Sequence, residues 1–377
     1  MSGPAAGTAR ADATTEVVCL GESMVTFLPS QPGRLADVPS FGRGIGGAES
    51  NVACALAAAG HRAAWVGRVG ADGFGDHLVE TIAGYGVDTS AVRRDPVRPT
   101  GIYFRTATDR GAGAHEVAYY RAGSAASAMS PANVPYEEVF AGRVLHLSGI
   151  TAALSADCLE LLRDLTAPRP GRPLVSFDVN HRPHLWRGGD ATVLLELARR
   201  CDLVFVGEDE AEEAWGIVGA EAIRAALPEP GVVVVKRGSA GATVFSGRRS
   251  SNAGGAEIAA GAGSSGAAAR PTEGGGAETV TPVPALRVDV VAAVGAGDAF
   301  AAGFLSATLR GLPVRDRVRH GHLMAAAVLT VPGDLTEPPA RDHADRLVAL
   351  DDDAWGRLRL GPGWTAADRA PEEVRTP

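Results

Sequence analysis

The stretch Val294-Gly295-Ala296-Gly297-Asp298-Ala299-Phe300-Ala301-Ala302-Gly303-Phe304 is the sharpest chemical constellation in the chain. Two glycines open an amphipathic helix, and a carboxylate stands in its first turn. Unpaired N–H groups at a helix N-terminus attract an anion, and glycines let a phosphate approach the backbone closely. An aspartate at that place can take the proton of a hydroxyl that attacks phosphorus. The same residues also suit a plain Gly–Asp cap, because Asp is a favoured N-cap. A second glycine cluster, Gly44-Ile45-Gly46-Gly47-Ala48-Glu49-Ser50-Asn51, opens an alanine-rich helix. Residues 42–47 match GxGxxG, but they follow Pro39-Ser40-Phe41 rather than a buried strand. No acid falls about twenty residues on, where Arg62 to Val66 stand, which argues against a dinucleotide site. Close approach to a small polar ligand and tight helix–sheet packing both remain open.

Three further polar clusters sit at or near the ends of β-like runs: Tyr119-Tyr120-Arg121, Asp178-Val179-Asn180-His181-Arg182 and Lys236-Arg237-Gly238. Each alone reads more readily as surface charge or a capping Asn. Together they suggest a site, since ligands of open α/β sheets gather beyond the carboxyl ends of the strands. The histidines show no HExxH or zinc-like spacing, and His181/His184 and His320/His322 read as satisfied or solvated. Lys236 is the sole lysine among 36 basic residues. No GxxxxGK[ST] loop is therefore possible. The strand lysine and HRD loop of protein kinases are missing as well.

These clusters need a frame to hold them. From Val17, short apolar runs (VVCLG, AAWVGRVG, RVLHLSG, PLVSFDVN, DLVFVG, VVVVKRG) alternate with helix-length stretches such as AESNVACALAAAG and ADCLELLRDL. Alternating strands and helices predict an α/β fold with a mostly parallel sheet covered on both faces. Residues about 22–45 and 97–122 alternate without intervening helices and predict antiparallel strands outside that sheet, as in a small β lid. Residues 247–279 are rich in Gly, Ala and Ser with almost no large apolar side chain, so they predict an inserted flexible loop. Residues 1–16 read as a disordered tail, 17–350 as the main domain and 351–377 as a C-terminal extension.

The 377 residues carry 44 acidic and 36 basic side chains, a net charge of −8. That balance argues against a general nucleic-acid or anionic-membrane binder. Cys19, Cys54, Cys158 and Cys201 are scattered, as expected of buried thiols in a reducing cytosol. The start lacks a signal-peptide layout, and no apolar run approaches the ~18 residues needed to cross a bilayer. A soluble, cytoplasmic protein is expected.

With the motifs in this order, the chain resembles the ribokinase-like (PfkB) family of carbohydrate kinases from about Val17 to Leu350, the inserted loop excepted. The resemblance rests on Gly44–Ala53, on VGRVGADGFGDHL at Val66–Leu78 and on GAGDAFAAGF at Gly295–Phe304. Within the family, YYRAGSAASAMSP at Tyr119–Pro131, LHLSGITAAL at Leu145–Leu154, FDVNHRPHLW at Phe177–Trp186 and VVVVKRGSAGA at Val232–Ala242 look most like 2-keto-3-deoxygluconate kinases. The implied fold is a three-layer sandwich with a β lid. The implied activity is ATP-dependent phosphorylation of a primary hydroxyl of a 2-keto-3-deoxy sugar acid.

The resemblance implies Asp298 as general base, with the N–H groups of Gly295, Ala296 and Gly297 as the anion hole. Gly46, Gly47, Asn51, Tyr103, Tyr120, Arg121, Arg182 and Asp334 would hold the sugar acid. A carboxylate also favours planar guanidinium partners on chemical grounds, which Arg121 and Arg182 could supply. Asn180, Lys236, Gly238 and Gly241 would lie near ATP, and Glu210 would organise water around Mg²⁺. A homo-oligomer could form through the lid. Two departures stand out. Ala292-Ala293 replace the Asp-Thr or Asp-Pro that often precedes this motif, which puts a monovalent-cation site in doubt. Gly207 replaces the Asn of NxxE before Glu210. A kinase for a neutral sugar such as fructose or ribose, or a weakened ligand-binding member of the family, are the alternatives.

Overall fold

The computed structural model describes residues 14–31, 33–106, 116–187, 189–247 and 278–366. The expected loop at 247–279 and tail at 1–16 thus lie almost wholly outside the described residues. An eight-stranded sheet forms the centre. Its strands are β1 (Val17–Leu20), β4 (Ala63–Val66), β9 (Val144–Ser148), β10 (Leu174–Asp178), β11 (Leu203–Gly207), β12 (Val232–Lys236), β13 (Ala242–Ser246) and β14 (Thr279–Val283). The order across the sheet is β14-β13-β12-β11-β10-β9-β1-β4. The six strands from β12 to β4 run parallel, and β13 and β14 are antiparallel additions at one edge.

Alternation within each strand feeds two separate cores. Val17 and Cys19 of β1, and Val232 and Val234 of β12, point into one core, which is closed by helices Ala48–Ala58, Ala296–Leu309 and Val314–Leu329. Val18, Leu20, Val233 and Val235 point into the other, under helices Ala156–Leu165, Thr192–Arg199 and Ala220–Ala226. Strands apolar on both faces are what a sheet between two helical layers requires. The expected three-layer sandwich is therefore the fold.

A four-stranded sheet stands apart, ordered β3 (Phe41–Gly46), β2 (Met24–Pro29), β7 (Ile102–Arg105), β8 (Val117–Tyr120). It occupies the two stretches that lacked helices. One pairing differs from expectation: β2 and β7 are parallel, while β2/β3 and β7/β8 are antiparallel. Between β3 and β7 the chain contributes a helix and β4 to the main body before it returns, so β7 is not the second arm of a hairpin. Two minor pairs, β5 (Arg68–Gly70) with β6 (Arg93–Asp95) and β15 (Arg287–Val288) with β16 (Arg359–Leu360), complete the strands.

Residues 351–366 are not an appendage. Trp355, Leu358, Leu360 and Trp364 are buried in the first core, and β16 pairs with β15. Burying two tryptophans makes residues 351–366 part of the domain. No helix of the described residues is long and apolar enough to cross a membrane.

Candidate active site

Beyond the carboxyl ends of β10 and β12 a cavity of about 340 Å³ opens between the main sheet and the four-stranded sheet. Helix Ala296–Leu309 points its N-terminus at this space. Its N-cap, Gly295, has φ +81°, and a Cβ there would stand 2.5 Å from the Asp334 carbonyl oxygen. Only glycine fits both demands. No side chain caps the helix, so the first-turn N–H groups have no side-chain acceptor. That is the arrangement that favours an anion.

Asp298 lies in that first turn and lines the cavity. The Asn51 side-chain amide donates to its Oδ2 at 2.9 Å. Burial pushes the Asp298 carboxyl up to about 7, helped by the Asp178 charge; Asn51, Arg182 and Lys236 pull the other way. A carboxylate poised near neutrality can accept a proton from an alcohol as a bond forms. Lys236 donates to both oxygens of Asp178, at 3.0 and 2.9 Å. Burial works against its ammonium, but Asp178, Glu210 and Asp298 outweigh it and raise the pKa. A charged Lys236 therefore sits beside the base. Asn180 holds φ +41°, and its Oδ1 is buried without a partner.

The opposite wall comes largely from the small sheet. Arg121, just past β8, is ion-paired with buried Glu22, and Ser124 Oγ donates to Glu22 at 3.0 Å. Burial raises the Glu22 pKa, while Arg121 opposes the rise. Arg121 Nε is buried and has no partner, so part of the fork stays uncommitted. Arg182 is half-exposed, its Nη1 lying 3.8 Å from Glu210 Oε1. His184 stacks on Tyr119 with centroids 4.8 Å apart. Burial lowers its pKa, and Arg121, Arg182 and Arg187 lower it further. This corner of the cavity is thus electropositive. Asp334 pairs with Arg105, and Tyr103 Oη donates to it at 3.4 Å.

Most sequence-predicted residues meet here: Gly295, Gly297, Asp298, Gly46, Gly47, Asn51, Tyr103, Arg121, Arg182, Asp334, Asn180, Lys236 and Glu210 all line the cavity. Gly46 and Gly47 also serve packing, since a Cβ would lie 2.3 Å from Tyr103 Oη at the first and from the Glu22 carbonyl at the second. Tyr120 is a correction. It is 64% exposed and outside the lining, while Tyr119 faces inward. The two-residue period of β8 makes neighbours face opposite ways, and Tyr120 rests instead edge-on to Phe104 at 6.1 Å. Gly238 and Gly241 belong to the β12–β13 turn and do not line this cavity. Gly241 has φ +105° and packs against the Val283 carbonyl. Ala296 contributes backbone between two lining glycines.

Glu22, Asp178, Tyr119 and His184 line the cavity without having been singled out as site residues. Asp178 and Tyr119 sat inside flagged clusters, where strand phase would have chosen them. Glu22 had one signal, an acid directly after an apolar strand. Glu210 reaches back to the start of its own helix, its Oε2 accepting from Gly207 N–H at 2.8 Å. Among the described residues no group of three or more His, Cys, Asp or Glu side chains could hold a metal ion alone. Glu210 and Asp178 supply the hard oxygen donors that Mg²⁺ takes through water, so the residues fit an ion carried on phosphates.

The chain also has relatives among known proteins. The chain is similar to a 2-dehydro-3-deoxygluconokinase of Bacillus subtilis, 34% identical over 87% of this chain and 93% of that one. It is 31% identical to a 2-dehydro-3-deoxygluconokinase of Thermoproteus tenax over 90% of this chain and 95% of that one. The crystal structure of a PfkB protein from Polaromonas sp. JS666 matches with a TM-score of 0.70 at 30% identity, over 89% of this chain and all of that one. The model of the pfkB family carbohydrate kinases covers residues 14–341, and the chain is a member of that family, a carbohydrate kinase.

Proposed function

We propose that the protein transfers the γ-phosphoryl group of ATP to a primary hydroxyl of a 2-keto-3-deoxy sugar acid. The observation that carries this reading is one cavity lined both by an aspartate at an uncapped helix N-terminus and by Arg121 and Arg182. The two relatives named as 2-dehydro-3-deoxygluconokinases support it. Arg121 and Arg182 orient the substrate carboxylate, and Tyr103 and Asn51 pack beside the sugar. Asp298 accepts the hydroxyl proton as the oxygen attacks the γ-phosphorus in line. The N–H groups of Gly295, Ala296 and Gly297 stabilise charge on the transferring group. Lys236 and Asn180 face the nucleotide. Mg²⁺ bound to the ATP phosphates supplies charge neutralisation, and Glu210 is the residue that would hold it, through water.

A neutral-sugar kinase is the second reading, and one observation favours it: Arg121 already spends part of its fork on Glu22. ADP release with 2-keto-3-deoxygluconate, 2-keto-3-deoxygalactonate, fructose and ribose separates the two. A higher kcat/KM for fructose or ribose than for either acid would sink the sugar-acid reading. We also expect two copies to pair through the small sheet, on the face where Phe27 stacks on Phe104 at 4.7 Å. Sedimentation of a monomer at micromolar concentration would disprove that.

A further inference from the structure

A second chamber, of about 540 Å³, lies beside the substrate cavity. It opens between the C-terminal end of helix Ala48–Ala58, the far half of helix Ala296–Leu309 and helix Val314–Leu329, and residues 336–340 close one side. The volume would hold a small organic molecule.

Its walls state what kind. Leu323, Met324, Pro338, Pro339 and the Tyr85 ring make an apolar surface. Arg310 and Arg341 face it with the single acid Glu337. Arg310 gives two bonds to Asp345, at 2.8 and 2.7 Å, so its charge is met. Arg341 donates to the Ala59 carbonyl at 3.1 Å and pairs with no carboxylate among the described residues. An arginine without a counter-charge beside an apolar wall suits an anion that carries an apolar body.

The chamber also reaches the active site through shared walls. Met324, Thr336 and Pro338 line a void of about 10 Å³, and so do Asn51 and Asp334. Those last two line the substrate cavity. Residues 334–338 therefore have one end in each space. Asp334 holds Arg105 and Tyr103 of the small sheet, and its carbonyl oxygen lies against Gly295 at the start of the catalytic helix. A molecule packed on Thr336–Pro339 would bear on the residue that ties the small sheet to that helix. It can change sugar affinity only by favouring one arrangement of this segment over another.

We propose that the chamber is an effector site for a small organic anion, a phosphate ester or carboxylate with an apolar body, and that its occupancy sets affinity for the sugar through residues 334–340. The site itself is tested whichever sugar is phosphorylated, because binding is read without turnover; the effector role rests on the kinase reading and is read on whichever sugar turns over.

The test is calorimetric titration of phenyl phosphate into the full-length protein, with a non-hydrolysable ATP analogue filling the nucleotide site. Phenyl phosphate is expected to bind with the analogue present, and inorganic phosphate and phenol at least tenfold more weakly. Arg341→Met should weaken binding about tenfold, and so should Ala58→Phe, which fills the mouth from an exposed position. Bound phenyl phosphate should shift the sugar KM about fivefold or more and leave the ATP KM unmoved. No binding, displacement by the analogue, or affinity unchanged in both variants would overturn the site. Equal binding of inorganic phosphate would overturn the ligand class. Binding with an unmoved sugar KM would overturn the effector role.

Discussion

The two ends of the substrate cavity are built from different materials. At the end we assign to the phosphoryl group the recognition elements are backbone N–H groups fixed by Gly295 and the half-buried Asp298, all carried on a single helix. At the end we assign to the sugar they are charges held in buried pairs, Arg121 with Glu22 and Arg105 with Asp334, each joining the small sheet to the main body. A backbone cradle comes preformed with the helix. A buried ion pair instead depends on both partners arriving, and losing one strands the other at a cost of several kcal/mol. The first end is therefore rigid. The second is only as well formed as the contact between the small sheet and the main body.

The largest effect should come from breaking the rigid end. Asp298→Asn keeps shape and the bond from Asn51 in altered form but removes the proton acceptor. Because general-base catalysis contributes roughly 10²–10⁴-fold, kcat should fall by about that factor while ATP still binds. Turnover like that of the parent protein would remove Asp298 from its role.

The pH profile sharpens the same point. With the Asp298 carboxyl raised to about 7, the ionised base is lost as pH falls below 7. kcat/KM should drop toward tenfold per pH unit well below 7, roughly fiftyfold between pH 7 and pH 5, and level off above 7. Stability should run the opposite way. A carboxyl whose folded pKa is raised contributes stability at low pH that is lost as pH rises through about 7. Asp298→Asn should thus raise Tm more at pH 8 than at pH 5. A flat rate profile from pH 5 to 8 would contradict the assignment.

The sugar end should give smaller, substrate-selective losses. Arg121→Met or Arg182→Met removes a charge-assisted hydrogen bond worth roughly 1.5–3 kcal/mol. kcat/KM for the sugar acid should fall about ten- to a hundredfold, with any neutral-sugar activity spared. Arg182, half-exposed, should cost less than Arg121. Equal losses on acid and neutral sugars would place both arginines outside substrate recognition.

The same contrast explains what could be read from sequence. The phosphoryl end is a run of adjacent residues, and Gly295, Gly297 and Asp298 are legible because one helix start holds them all. The layered sheet was legible from apolar strands alternating with helices. The sugar end is assembled across the chain: Glu22 meets Arg121 from 99 residues away, and Arg105 meets Asp334 from 229. No local pattern announces such a pairing. The choice between Tyr119 and Tyr120 turned on the phase of a four-residue strand, which sequence places only to within a residue or two. The direction of β7 against β2 depended on the path of everything between them.

The smallest expected effect concerns monovalent cations, where the residues before the catalytic helix depart from the family pattern. An ion such as K⁺ needs several oxygen ligands close to Gly295. Ala292 is buried and Ala293 faces the cavity, and neither side chain carries an oxygen. Backbone carbonyls alone hold such an ion weakly in competition with water. Turnover should therefore need Mg²⁺ to neutralise phosphate charge but change by less than about twofold with KCl, when a large organic cation holds ionic strength constant. Ala292→Asp supplies the missing oxygens, yet its carboxylate would enter a buried position and cost several kcal/mol of stability. We expect that variant to melt lower and to gain potassium dependence only as far as the ion offsets that cost. Strong potassium activation of the unmodified protein would show that backbone oxygens suffice here, and that the rigid end of the cavity is completed by a cation after all.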